Sequence, residues 1–482
     1  MGKYGYMEQI DEIMRPFVTP QNYVRRRVRV FNYQAEIVYN PDLTDAELLS
    51  RLIAEFDTKK ADGIDKQISA SDIVESVVAV AEIKIESEIG VCRDAVLSGD
   101  AVMEVESVSE LIVCNLRKWD KRAVTEPPTA TVMRGPREGF IEDIKTNLSL
   151  IQRRVKSPDL AIEKLTVGRY SKTTIALVYV SSIVDKRIVK RLKERISAID
   201  TDAIIDSHYI QPHLEMRPYS IFHQTGVSEK PDVITAKIME GRVAVVVDGS
   251  PMVLTVPFMV VEDFQSGEDY YERSSLATFL RIIRFISLFF SVLLPGLYVA
   301  LQQHHYSIIP LRFLLTVMTA VNGIPLSPVT EIIFVILLFE IIREASVRMP
   351  RAVGMAMSIV GALVLGDTAV KAGIISSPAV MITALSSIAL YTAPNQEGTL
   401  TILRVIFTFL GGYGGLYLLI VGVCYLVMYL TTLSGFGSAY TAPFAPIIMD
   451  DQKDGLYRAS LLRMEKRPKS IKNCNKIRRK GE

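Results

Sequence analysis

Apolar and polar positions follow two regimes along the chain. Up to residue 273, short runs of period two and period 3.6 succeed one another, and from 274 to 449 long apolar blocks take over. Residues 25–39, RRRVRVFNYQAEIVY, alternate as a strand that Asn40-Pro41-Asp42 ends. Thr44, with Glu47 three residues on, predicts a helix start, and Leu48, Leu49, Leu52, Ile53 and Phe56 carry the helix on. The run 71–89 places Ile73, Val77, Val80, Ala81 and Ile85 at helical spacing, and 101–116 reads as two strands. Beyond a proline-rich joint at 125–140 come a helix over 138–155, strands at 164–169 and 174–180, and a helix over 185–199. That last helix has Ile188, Val189, Leu192 and Ile196 on one face. VAVVVDGSPMVLTV, 243–256, predicts a hairpin turned at Asp248-Gly249. Strands alternating with helices predict an α/β region of two subdomains, 1–120 and 121–273.

Five apolar blocks follow, at 285–301, 311–324, 328–343, 352–391 and 405–433, and they predict an α-helical polytopic membrane domain over 274–449. The third has its start and stop written into it. Ser327 can cap, Pro328 fits the first helical position, and Arg343, Arg348 and Arg351 mark a cytoplasmic end. Its sixteen residues span roughly 24 Å, less than a hydrocarbon core of about 30 Å, so Glu331 and Glu340 fall at or inside the bilayer boundary. The second block is short, opens at Pro310 and carries Arg312 and Asn322, which predicts an interfacial or re-entrant piece.

Charge fixes the sidedness. The chain has 55 basic and 53 acidic side chains, of which only 13 lie in 274–449. The tail, 450–482, has 11 basic residues against five acids and is expected in the cytoplasm. MGKYGYMEQIDEIM lacks the apolar core of a signal peptide, and Tyr6 stands where a myristoylation site has Ser or Thr. The amino-terminal region is therefore expected on the tail's side, which needs an even number of crossings. Four are expected, with 352–391 crossing once as a helix interrupted around 366–373 and Arg404 on the outer side. Cys92, Cys114, Cys424 and Cys474 are scattered, which predicts neither disulfides nor a zinc site.

Candidate chemistry is sparse. His208 and His213 lie five apart with no third ligand at motif spacing. The basic run Arg25–Arg27 has no interleaved aromatics and reads as a solvated strand end, so no nucleic-acid partner is expected. No phosphate loop is present. Gly411 and Gly415 form a small-xxx-small pair that reads as helix packing, with a hinge as the alternative. No cofactor and no catalytic set is implied. Four ionisable residues of the apolar region are the candidates for an ion pathway: Glu331, Glu340, Asp367 and Lys371. Glu331 and Glu340 are nine residues apart and point to opposite helix faces, so they cannot form one site. The plainer readings are a first-turn acid at Glu331, an i,i+3 pair of Glu340 with Arg343, and an i,i+4 salt bridge of Asp367 with Lys371.

Five segments carry a resemblance: RGPREGFIEDIKTNLSLIQRR (134–154), GRVAVVVDGSPMVLTVP (241–257), DYYER (269–273), IREASVRMP (342–350) and FGSAYTAP (436–443). In this order the chain resembles the A-subunit family of bacterial spore germination receptors, the GerA family. The resemblance implies an integral protein of the inner spore membrane working with a transporter-like B subunit and a lipoprotein C subunit. It also implies homo-oligomers, expected as pentamers, that pass ions when the partner subunit senses a nutrient. A secondary transporter would show matching broken helices in two halves, which four unequal spans do not provide. A membrane enzyme would need an acid–base or nucleophile set, and a membrane anchor for a soluble sensor is the plain alternative.

Overall fold

The computed structural model describes residues 9–30, 33–58, 69–76, 82–106, 108–117 and 134–479. Two five-stranded antiparallel sheets precede a helical bundle. The first comprises β1 (Val24–Val30), β2 (Tyr33–Tyr39), β3 (Ile83–Glu86), β4 (Ala101–Val105) and β5 (Leu111–Cys114), in the order β1-β2-β4-β5-β3. The second comprises β6 (Leu160–Val167), β7 (Thr173–Val180), β8 (Gly226–Ser228), β9 (Val243–Val247) and β10 (Val253–Val256), in the order β6-β7-β9-β10-β8. Both sheets are sandwiched by helices. In the first, α2 (Ala46–Thr58) and α3 (Ala70–Ser76) cover one face, and α1 (Gln9–Met14) and α4 (Ile89–Ser98) cover the other. In the second, α6 (Lys186–Ser197) and the single turn α7 (Gln211–Leu214) cover one face, and α5 (Ile144–Gln152) and α8 (Pro231–Met239) the other. Burial on both faces explains why Val243–Val247 is a continuous apolar run rather than an alternation.

Counted from its first strand, each sheet has the same order and its helices fall at the same points, so the α/β part is an internal duplication of one topology. The likeness reaches single residues. Asp45 and Asp185 cap the helix after each opening hairpin, and Gly99 and Gly241 end the helix before β4 and β9 with φ of 100° and 104°. Thr44 bridges Arg117, and the equivalent Val184 bridges Asn473, so in the second copy the carboxy-terminal tail takes the place of the first copy's own chain.

Three expectations are corrected here. Residues 25–39 form two strands, because Val30 pairs back on Tyr33; an alternating pattern does not reveal a reversal. The cap of α2 is Asp45, whose carboxylate accepts from Glu47 and Leu48, while the Thr44 hydroxyl donates to Gly99. The helix expected over 71–89 ends early, since Ile83–Glu86 is an edge strand paired with β5. The joint at 125–140 lies, up to residue 133, outside the described residues. The hairpin at Asp248-Gly249 is present, with Gly249 at φ 85°.

The bundle contains α9 (Ser274–Gln303), α10 (Leu311–Val321), α11 (Pro328–Arg348), α12 (Arg351–Leu363), α13 (Ala369–Lys371), α14 (Ser377–Leu390) and α15 (Glu397–Thr432). A π-helical stretch, Val364–Thr368, joins α12 to α13. α12 runs back along α11: Gly354 lies against Ser346 and Gly361 against Ile342. Beyond α13 the chain reaches Ser376, which touches Glu331 near the start of α11, and α14 then descends beside α11. The block 352–391 is thus two antiparallel rods, not one interrupted rod.

The 36 residues of α15 fold back as well. Gly414 (φ −134°, ψ 16°) and Gly415 (φ 58°, ψ −145°) break the helix into limbs 397–413 and 416–432. A Cβ on Gly422 would lie 2.7 Å from Leu410 Cδ1 and 3.2 Å from a Phe407 ring atom, whereas fifteen residues of straight helix separate their ends by about 22 Å. Both limbs end on Tyr440, with Gln396 Nε2 3.4 Å from its hydroxyl and its N–H 3.1 Å from Leu433 O. The bundle therefore has six rods running between two ends, with α10 as a short extra helix at the end that holds His304, His305 and the Gly414–Gly415 turn.

Candidate functional site: charges in the bundle

Glu331 is fully buried in the first turn of α11, which Ser327 caps. Its Oε1 accepts from the N–H of Ser376 at 2.5 Å, where the Ser376 hydroxyl caps α14 by accepting from Ala379. A carboxylate is thus set against the positive end of a second helix dipole besides its own. Glu340 faces another helix. Its Oε1 is 2.6 Å from Arg404 Nη2, on the first limb of α15, and its Oε2 is 2.6 Å from Arg343 Nη2. Arg343 also reaches Glu397 at 2.5 Å, and Arg404, with no exposed surface, donates to Ser387 at 2.9 Å. The four charges form one chain across α11 and the first limb of α15, which Ser387 ties to α14. Arg404, expected on the outer side, belongs instead to this network at the end of the bundle nearest the sheets.

Asp367 and Lys371 pair at 2.7 Å in the π-helical stretch and α13. They point away from the rest of the bundle, exposed, while Ala369 and Val370 beside them pack among Val335, Leu338 and Ile342 of α11. Their depth is therefore that of the middle of α11, between the levels of Glu331 and Glu340. The four candidates do not converge: two are engaged inside the chain on opposite sides of α11, and two face outward. Among the described residues no group of three or more His, Cys, Asp or Glu is placed to hold a metal ion.

A further charge cluster joins the bundle to the sheets. Asp269, in the DYYER segment, accepts from Arg281 Nε at 2.8 Å and from both terminal nitrogens of Arg284, at 2.9 and 3.0 Å. Arg281 also binds Asp454 of the tail at 3.0 Å, and Asp454 accepts from the Tyr270 hydroxyl at 2.8 Å. Burial pushes the Tyr270 hydroxyl well above the ordinary tyrosine range, so it acts there as a donor. In the sequence, the DYYER segment directly ahead of α9 is the local signal for this cluster.

The sequence profile of the Bacillus/Clostridium GerA spore germination proteins matches residues 10–470. The chain belongs to the GerA family. It is 36% identical over 419 residues to Spore germination protein KA of Bacillus subtilis, covering 86% of this chain and 77% of that one. It is 32% identical to Uncharacterized membrane protein YfkQ of the same organism, covering 91% and 86%. A crystal structure of the N-terminal domain of the A subunit of the Bacillus megaterium spore germinant receptor GerK3 is similar over 52% of this chain and 91% of that one, at 25% identity and a TM-score of 0.39. This GerA-family chain is thus a member of the germinant receptor A-subunit family in spore germination. Its architecture, two α/β subdomains followed by a helical region with apolar helices, is the one the hydropathy pattern predicted.

Proposed function

We propose that this chain is the membrane-spanning A subunit of a nutrient germinant receptor, and that copies of it assemble, expected as a pentamer, into an ion-conducting oligomer. Six rods, rather than the four crossings expected from the block count, span the bilayer in this reading. The even count is kept, so the two α/β subdomains and the basic tail share the cytoplasmic face. In this reading its partners are the B and C subunits and its location is the inner spore membrane.

The observation that carries the reading is the outward-facing Asp367–Lys371 pair at mid-depth of an apolar bundle. Ionisable side chains at that depth face water or a partner rather than lipid. The α12–α13 face is therefore assigned to the centre of the oligomer, where one acid and one base per chain form paired rings. Glu331 and Glu340, saturated or enclosed within one chain, hold helices together in this reading.

Ion flux tests it. Purified chain reconstituted in liposomes should conduct, and Asp367→Asn should alter the cation over anion preference without changing the oligomer's size. An oligomer that passes no ions would make the chain a membrane anchor for its soluble domains.

A further inference from the structure

Beneath the bundle, a cleft of about 580 Å³ opens between α8, the turns at 260–271, the loop 392–395 and the tail. Five cations line it, each with a carboxylate at ion-pairing distance. Lys237 is 2.7 Å from Glu262, Arg242 is 3.1 Å from Glu262, Arg284 binds Asp269, and Arg478 lies 3.8 Å from Glu240. The fifth is Lys230. It is 3% exposed, and its Nζ has no protein acceptor within hydrogen-bonding distance. The nearest carboxylate oxygen, Oδ2 of Asp232, stands 3.8 Å away and already accepts from the Tyr271 hydroxyl at 2.7 Å. An ammonium buried in this way costs free energy that an anion in the cleft would offset.

Two further observations define what fits. Lys230 is also the first residue before α8, whose N-terminus no side chain caps, so a phosphate beside it meets both the ammonium and the helix dipole. On the same cleft wall, Oδ1 of Asp232 has no protein donor at hydrogen-bonding distance, and Oδ1 of Asp263 has His223 Nε2 near it only at 3.6 Å. The occupant must therefore carry hydroxyl or amino donors as well as a negative charge. The volume is in the range of small-molecule sites.

We propose that this cleft binds a hydroxylated phosphate ester, of which glycerol phosphate is the simplest example. Lys230 and the start of α8 hold the phosphate, and Asp232 and Asp263 take the hydroxyls. Because the walls come from the second α/β subdomain, the base of α9, the loop between α14 and α15 and the tail, the ligand ties the soluble part to the bundle. The same chemistry arrives either as a free metabolite or as the headgroup of an anionic phospholipid, since Arg284 and the loop 392–395 bring the cleft to headgroup level.

The test is calorimetric titration of the full-length chain in phosphatidylcholine nanodiscs with sn-glycerol 3-phosphate. Saturable binding is expected, at least tenfold weaker in Lys230→Met and lost in Ala236→Phe, which fills the cleft from α8 without touching the charges. Nanodiscs containing phosphatidylglycerol separate the sources: lost binding identifies the lipid headgroup as the occupant, and unchanged binding identifies a soluble one. The absence of saturable heat from the wild-type chain, or equal binding by wild type and both folded variants, overturns the proposal.

Discussion

Arg404 Nη2 lies 2.6 Å from Glu340 Oε1, although 64 residues separate them and Arg404 has no exposed surface. The pair fastens the first limb of α15 to α11, and its two halves are unequally backed. Glu340 keeps Arg343 if Arg404 is lost, whereas Arg404 keeps only the hydroxyls of Ser386 and Ser387 if Glu340 is lost. Glu340→Gln should therefore destabilise the detergent-solubilised chain by about 3–5 kcal/mol, and Arg404→Leu by less. Thermal unfolding of both variants and of the double variant measures the difference. Equal losses from the two single changes would show that the remaining partners do not matter.

Close backbone contact fastens the same limb of α15 to α9 as well. A Cβ on Gly411 would sit 2.2 Å from the carbonyl oxygen of Gly296, in the turn that follows Pro295 of α9. Gly411→Leu should force the helices apart and lower the unfolding temperature, while Gly398→Leu, at a glycine with open space around it, should not. Comparable unfolding temperatures for the two variants would mean that α9 and α15 do not approach so closely.

In the second subdomain, Gly249 holds φ at 85°, a region that β-branched residues avoid. Gly249→Val should cost on the order of 1 kcal/mol or more, read as a lower denaturation midpoint of the full chain. A midpoint equal to the wild type's would remove the strain argument for this turn.

Acid should weaken the join between α8 and the base of the bundle through Glu262. Burial alone would raise its carboxyl, but Arg242 and Lys237 outweigh burial and hold it below the ordinary 4.5. A carboxyl that ionises more readily in the folded state lends stability above pH 4.5, and that stability is lost as pH falls through the lowered value. Glu262→Gln should flatten the acid limb of the stability profile and leave a lower plateau at neutral pH. An unchanged acid limb would place the pH sensitivity elsewhere.

What the sequence disclosed follows the range of the interactions involved. Local signals read true: Ser327-Pro328 starts α11, Asp248-Gly249 turns its hairpin, and Ile188, Val189, Leu192 and Ile196 face the sheet from α6. The glycine pair divides between its two readings, since Gly411 packs against Gly296 and Gly415 makes the reversal. That reversal was hidden because hydropathy is unchanged across it; an apolar residue looks alike in one long rod and in two short ones. The Glu340–Arg404 pair, the Glu331 contact with the start of α14 and the Lys230 cleft all depend on segments brought together by the fold. No spacing encodes them. The duplication was equally obscure, because it lies in strand order while side chains differ at most positions.

The most direct measurement of the central claim, six spans with both soluble parts on one side, is thiol labelling from outside intact cells in a Cys424→Ser background. Tyr306→Cys is outside in both the four-span and the six-span arrangement and serves as the positive control. Tyr413→Cys discriminates, because it adjoins the Gly414–Gly415 reversal here but would lie mid-bilayer in a single span over 405–433. Cys474, exposed where its thiol donates to Val184 O at 3.3 Å, reports the inner side. The account predicts that an impermeant reagent labels Tyr306→Cys and Tyr413→Cys in intact cells and reaches Cys474 only after lysis. Labelling of Cys474 without lysis, or a Tyr413→Cys that stays unlabelled while Tyr306→Cys reacts, would contradict it.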